Sequence, residues 1–323
     1  MSDPPVWVLL GGRTGDNNQL LRVAEALGLP FRSTELRYNV LHLVPPRILG
    51  ATLSTLAAES KGQIRRPWPE LVLGVGYRSV PVALAIRKLS GGRAKLVRVG
   101  NPRLDPREFD LVITTVQYPV PGARNVIRLP VGIATAVSMQ ATGEELEWLR
   151  QLPRPHRLLL IGGNTFMWSL TPKAMAHVAK KIAEKGGSVI PVSSPRSSQA
   201  VLAAVHSAVG MPSPNRPRYP VLLSDADEIY VTGDSISMAS DAIATGRPVG
   251  IFRPQRTFAG RLLYGFGGAA NRRVPVRDIQ RFMDSVLDQG LAGTVEQPRA
   301  PSYQPDALQT AVSAIRKLLG VRT

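Results

Sequence analysis

Between the apolar runs "EIYVTG" (228–233) and "PVGIF" (248–252) lies "DSISMASD" (234–241), whose residue types suit a charged, hydroxyl-bearing ligand. Asp234 or Ser235 is expected to cap a helix that Gly246 ends. The mouth of such a helix presents free amides and the positive end of the backbone dipole, which favour an anion such as a diphosphate. Positions 234, 238 and 241 share one stripe, so Asp241 sits about 10 Å from the mouth at roughly 1.5 Å per residue, where it could accept ribose hydroxyls. The outline is that of a sugar nucleotide; the alternative is an ordinary capped helix with Asp241 in solvent.

Three other turns carry polar chemistry. In "GGNTFMWS" (162–169), Gly162, Gly163 and Asn164 suit a tight ligand-facing loop, Thr165 and Ser169 offer hydroxyls, and Met167 and Trp168 read as core or lid packing in preference to a stacking platform. "SSPRSS" (193–198) gathers four hydroxyls, Ser194 among them, around Arg196, as a diphosphate clamp with bidentate contacts or as a plain polar loop. In "GGRTGDNNQ" (11–19), Gly11, Gly12 and Gly15 let a ligand approach the backbone, with Gln19 close behind. That spacing is not GxGxxG, so a dinucleotide site has little support, although Glu35 lies about where a ribose-binding acid would stand. Asp16 is either a general base or the cap of a helix starting near Asn17. "GVGYRS" (74–79) has a GxGxxS look and, as a lone match, carries little.

Charge narrows the partners. The 323 residues carry a net charge of +17, and arginine supplies 32 of the 40 basic residues. Residues 247–281 alone hold Arg247, Arg253, Arg256, Arg261, Arg272, Arg273, Arg277 and Arg281 against the single acid Asp278. A diphosphate-bearing substrate, an anionic membrane surface and nucleic acid all fit such an excess, as does a merely solvated surface. Nucleic acid ranks last, because aromatics are only 6% and no recognition motif is present. The absence of cysteine excludes disulfides and thiolate chemistry, and four scattered histidines lack ligand spacing, so no metal is expected. With no run of 18 apolar residues and no signal-like start, the expected location is cytoplasmic, with peripheral contact at the inner face of the membrane as an extension.

The elements that must position these residues are short, continuously apolar runs alternating with amphipathic stretches. "VWVLL" (6–10), "ELVLGV" (70–75), "AKLVRVG" (94–100), "DLVITT" (110–115) and "NVIRLPVG" (125–132) occupy the first half. "RLLLIGG" (157–163), "SVIPVSS" (188–194), "EIYVTG" and "PVGIF" repeat the pattern in the second. Such runs are the mark of parallel strands covered on both faces, so the expected architecture is α/β: two tandem Rossmann-like, doubly wound parallel-sheet domains facing a cleft. Thr142 and Glu145 have capping-box spacing ahead of a proline pair, and the domain boundary is placed there. The expected division is 1–152 (acceptor side), 153–305 (nucleotide-sugar side) and a final helix, 306–323, packing back on the first domain.

Seven blocks, "GGRTGDNNQ", "PELVLGVGYRSVPVALAIRK", "VRVGNPR", "FDLVITT", "IGGNTFMWS", "PVSSPRSS" and "VTGDSISMASDAIATGRPVGIF", resemble in order those of the bacterial and plant family named after a mitochondrial-fission factor, the elongated-mitochondria protein. The resemblance covers most of residues 6–255 and implies a glycosyltransferase of the two-Rossmann (GT-B) architecture. The last block also looks like the nucleotide-sugar helix of GT-B enzymes such as the lipid-II N-acetylglucosaminyltransferase. That likeness implies Ser235, Ser237 and Met238 near the diphosphate and Asp241 at the ribose. Two departures stand out: the family usually has glutamate where this chain has Asp241, and its leading loop commonly ends Gly-His, here Gly15-Asp16.

The reading that follows is a metal-independent glycosyltransferase using a nucleoside-diphosphate sugar as substrate, with no cofactor. Arg196 and one of Arg247, Arg253 or Arg256 would stabilise the leaving diphosphate, Asp16 would act as base, and the acceptor would be an envelope glycolipid or a saccharide. A non-catalytic recruitment protein acting at membranes keeps the same fold, and a nicotinamide-dependent oxidoreductase or epimerase is the third candidate.

Overall fold

The computed structural model describes residues 5–12, 14–134, 139–210, 216–265 and 277–321. The chain forms two compact units, residues 1–133 with 275–277 and 306–323, and residues 134–274 with 278–305.

In the first unit the chain runs β1 (Val6–Leu10), α1 (Thr14–Leu27), β2 (Phe31–Glu35), a 3-10 turn (Val40–Leu43), α2 (Pro46–Leu49), α3 (Ala58–Gln63) and β3 (Leu71–Val75). A second 3-10 turn (Tyr77–Ser79) leads into α4 (Val80–Leu89), followed by β4 (Lys95–Val99), β5 (Leu111–Thr115) and β6 (Val126–Leu129). The strands form one parallel sheet in the order β2-β1-β3-β4-β5-β6. Val6, Trp7, Val8 and Leu9 are all buried, as continuous apolarity predicts for a strand covered on both faces.

The second unit contains α5 (Gly143–Arg150), β7 (His156–Ile161), β8 (Trp168–Ser169), α6 (Pro172–Ala183), β9 (Ser188–Ser193), α7 (Gln199–Val209) and α8 (Tyr219–Asp225). It continues with β10 (Glu228–Thr232), α9 (Ile236–Ala244), β11 (Val249–Phe252), β12 (Gln255–Arg256), α10 (Phe258–Gly265), α11 (Ile279–Asp288) and β13 (Gly293–Thr294). Its parallel sheet has the order β13-β11-β10-β7-β9, with β8 and β12 forming a separate antiparallel pair. Counted within the unit this is 2-1-3-4-5, the order with which the first sheet also begins. Both units are thus Rossmann-like, doubly wound domains.

The compact units divide at 133/134 rather than at 152/153, and an ion pair on α5 gives the reason. The capping box expected from Thr142 and Glu145 is present at the start of α5. The same Glu145 carboxylate accepts hydrogen bonds from the Arg218 backbone amide (2.9 Å), Nε (2.8 Å) and Nη2 (2.7 Å), which anchors α5 within the second unit. The closing helix α12 (Ala307–Leu319) belongs to the first unit, where it packs on α1 and Arg316 reaches the Leu27 carbonyl at 3.3 Å.

Hydrogen bonds from Arg218 and the Thr142 amide hold the Glu145 pKa well below its ordinary 4.5. A depressed carboxylate contributes stability above its unfolded pKa and loses it as pH falls through the folded value. Glu145→Gln is therefore expected to melt below the parent at pH 7, with the gap closing as pH is lowered from 4.5; thermal melts from pH 7 to 3 read this, and a gap constant with pH would contradict it.

Candidate functional site

In the second sheet β7 and β10 are hydrogen-bonded neighbours, yet the chain leaves β7 towards β9 on one flank and leaves β10 towards β11 on the other. The two following loops part at that point, which is where an open parallel sheet accepts a ligand. They are Gly162-Gly163-Asn164 and Gly233-Asp234-Ser235, the two stretches that sequence alone singled out.

Hydrogen bonds join these loops. The Gly162 amide donates to Thr232 Oγ1 and the Gly163 amide to Asp234 Oδ2, each at 2.8 Å. The approach is so close that a Cβ on Gly162 would overlap the Asp234 carboxylate, and one on Gly163 the Arg196 carbonyl. The third loop closes on the same place. Ser197 Oγ lies 2.8 Å from the Ile161 carbonyl and 2.6 Å from that of Gly162, while it accepts the Ser194 amide at 2.9 Å. Arg196 reaches Asp234 Oδ2 at 3.4 Å through Nη2 and stays about half in solvent (46%), so the guanidinium is accessible to a ligand.

Asp234 behaves differently from its expected role. Its carboxylate is fully buried, Oδ1 has no hydrogen-bond partner, and Oδ2 braces Gly163, so it shapes the loop instead of capping the helix. Burial raises its pKa above 3.8, against the pull of the Gly163 amide, Thr232 and Arg196. The N-cap position of α9 belongs to Ser235, whose side chain makes no capping bond. Helix geometry therefore leaves the amides of Ile236, Ser237 and Met238 without intrahelical partners, with Ser237 and Met238 half-buried beside them. Asp241 is not in solvent: it is buried on α9, and the Tyr219 hydroxyl donates to its Oδ2 at 3.4 Å.

Among the other expected residues, Asn164 accepts the Leu170 amide at 2.7 Å and fixes its own loop. Met167 and Trp168 are buried, as packing residues should be, and Arg256 stands 5.5 Å over the Trp168 ring. Arg253 pairs with Asp284 at 2.7 Å and Arg256 hydrogen-bonds Gln280, whereas Arg247 is exposed. Arg272 and Arg273 lie outside the described residues.

In the first unit α1 begins at Thr14, so Asp16 lies inside its first turn and does not cap a helix starting at Asn17. Asn17 instead ties the glycine loop, accepting the Gly11 amide at 2.8 Å and donating to the Gly11 carbonyl at 2.7 Å. Gly12 has open space around it, and Gln19 joins Gly15 (3.4 Å) to the Ile133 amide (3.3 Å). Ser197 lies within the chosen SSPRSS block, where sequence assigned it no role of its own; Thr232, directly before the chosen turn, and Tyr219 were missed, and no sequence signal marks Tyr219. Among the described residues no group of three or more His, Asp or Glu could hold a metal ion, and no helix is long and apolar enough to cross a membrane.

Two parallel, doubly wound domains with ligand-type loops at the carboxyl ends of the strands define a GT-B-like protein. The Mitochondrial fission ELM1 family matches residues 14–267, and the chain belongs to it. An uncharacterized protein of Rickettsia prowazekii is 22% identical over 297 residues, covering 77% of this chain and 83% of that one. Among solved structures, the UDP-GlcNAc 2-epimerase from Neisseria meningitidis superposes with a TM-score of 0.54 at 12% identity, covering 98% of this chain and 100% of the other. The UDP-GlcNAc 2-epimerase from Methanocaldococcus jannaschii gives 0.51 at 12%, with 98% and 99% covered. At that identity the likeness is one of fold.

Two outcomes are expected from this geometry. Gly163→Ala should destabilise the protein by about 1–3 kcal/mol, because the added methyl meets backbone that cannot yield; chemical denaturation measures it, and an unchanged midpoint would contradict the packing. For Asp234, a raised folded pKa means that its penalty is absent below 3.8 and grows as pH rises through the folded value. The melting temperature of Asp234→Asn should therefore gain on the parent between pH 3.8 and 7.

Proposed function

We propose that the second unit binds a nucleoside-diphosphate sugar and that the protein is a metal-independent glycosyltransferase. The observation that carries this reading is the uncapped mouth of α9, flanked by the Gly162-Gly163 turn and Arg196 at the strand-order switch. A diphosphate there would accept the Ile236, Ser237 and Met238 amides and the Arg196 guanidinium, which stabilise the charge that develops as it departs. Asp241 lies about 9 Å along the helix at roughly 1.5 Å per residue, where its carboxylate, steadied by Tyr219, would receive ribose hydroxyls. The UDP-GlcNAc named with the Neisseria structure is a ligand of this outline.

In the transfer step the acceptor oxygen bonds to the anomeric carbon as the bond from that carbon to the diphosphate oxygen breaks. The electron pair leaves with the nucleoside diphosphate, and the acceptor's proton passes to a base, for which Asp16 is the residue proposed. The same donor chemistry would serve sugar-nucleotide epimerisation, a second reading favoured by the names of the two solved structures.

A panel of nucleoside diphosphates should raise the melting temperature of the parent, and Asp241→Ala or Arg196→Ala should remove most of that rise; no response to any of them would favour a non-catalytic protein. In turnover assays Asp16→Asn should lower kcat by about 10²-fold or more with donor binding retained. Conversion of UDP-GlcNAc to its 2-epimer without acceptor would select epimerisation.

A membrane-borne acceptor is supported by the net charge of +17 and by the outward-facing Val40, Leu43 and Ile48 (77%, 72% and 75% exposed) beside exposed Arg47. Such a face suits an anionic interface. The protein should sediment with phosphatidylglycerol vesicles and not with phosphatidylcholine ones, and Leu43→Asp with Ile48→Asp should abolish the difference.

A further inference from the structure

In the first unit the strand order also reverses, between β1 and β3, and the loop after β3 holds a second concentration of positive charge. Arg98 on β4 is only 1% exposed, and its Nε and Nη1 have no hydrogen-bond partner. Its one side-chain bond runs from Nη2 to Ser79 Oγ at 3.0 Å. Gly74, its cross-strand partner on β3, makes the room, since a Cβ there would overlap Nη1. The guanidinium is therefore aimed at the β3–α4 turn, where Ser79 sits.

Two more arginines meet at that turn, Arg78 from within it and Arg103 from the loop after β4. Arg103 lies 4.0 Å over the Tyr77 ring and Arg78 stands 6.0 Å from the same ring, so two exposed guanidinium groups are gathered around one aromatic ring. Arg103 is held there in a left-handed conformation (φ 56°), with its amide donating to Asn101 Oδ1 at 2.8 Å. Tyr38 faces Arg98, but burial pushes its pKa up to about 12, so it is neutral near pH 7; Arg98, drawn down to about 10 by burial, remains charged. Among the described residues no carboxylate pairs with Arg78, Arg98 or Arg103.

A buried guanidinium without a counter-charge is strongly unfavourable, and like charges gathered at the turn it points to add to the strain. An anion relieves both. We propose that the first unit binds a phosphate-class oxyanion at the β3–α4 turn, with Arg78 and Arg103 making the contacts and Arg98 supplying field from behind. The low-dielectric position of Arg98 keeps that field from being screened as a surface charge would be. Nothing in this site depends on the donor reading above; only the further step does, that in a transferase the phosphate belongs to the acceptor.

The test uses inorganic pyrophosphate titrated calorimetrically at low salt into full-length Arg196→Ala, which removes the arginine offered to the second unit's diphosphate. One equivalent is expected to bind, with affinity falling as salt rises. Adding Arg78→Ala and Arg103→Ala should weaken it at least tenfold; both residues are exposed, so the fold is spared. Removing equal charge through Arg65→Ala and Arg66→Ala, exposed elsewhere in the unit, should leave it within twofold. No binding to Arg196→Ala, unchanged affinity without Arg78 and Arg103, or an equal loss in the Arg65 and Arg66 variant would overturn the proposal. Failure of the donor reading alone shows differently: pyrophosphate stoichiometry is then the same in the parent and in Arg196→Ala.

Discussion

The bond from the Gly163 amide to the buried Asp234 carboxylate is the constraint on which the candidate donor site depends. It holds together two loops that the strand order drives apart, and it diverts the Asp234 carboxylate away from the helix. Had Asp234 capped α9, a negative charge would occupy the place proposed for the diphosphate. Because it braces the glycine loop instead, the first-turn amides stay free, and Arg196 partly offsets the carboxylate's own repulsion. Only glycine permits the arrangement at 162 and 163, since any Cβ would meet Asp234 or the backbone of Arg196.

The arginine excess divides into three uses. Some guanidinium groups are structural, as Arg218 on Glu145 and Arg157 on Glu228 (2.9 Å) show, and their charge is spent within the protein. Others pack on rings or neutral side chains, as Arg256 does with Trp168 and Gln280. A third group, Arg196 in one unit and Arg78, Arg98 and Arg103 in the other, collects near the carboxyl ends of parallel strands. Partly or wholly uncompensated positive charge at those ends is what an anionic ligand requires. Net charge alone could not separate these populations, because the carboxylates that neutralise the structural ones lie about 70 positions away in sequence.

Much of the candidate donor site was legible because its parts are local. The apolar runs specify buried parallel strands, and polar, glycine-bearing turns follow them where a doubly wound sheet must expose its ligand loops. Asp241 was placed correctly on α9 by helical periodicity, yet its burial and its Tyr219 partner were not, since that tyrosine lies on another helix 22 positions earlier. The start of α1 was misplaced because Asp16 and Asn17 are both good caps, and propensity cannot say which of two adjacent cap residues bonds to the glycine loop.

By itself, then, the sequence determined the two-domain α/β class, the order of its elements and which turns are rich in hydroxyls, glycine and arginine, because each of these follows from short-range periodicity and residue type. Tertiary structure alone decided that Asp234 is a brace, that α9 is left uncapped, that α5 joins the second unit through Glu145 and Arg218, and that Arg98 is buried without a counter-ion. The brace and the buried Arg98 turn on which strands become neighbours, and the Glu145–Arg218 pair on which helices do; a side chain's partner across a sheet is set by strand order, which no local stretch of sequence encodes.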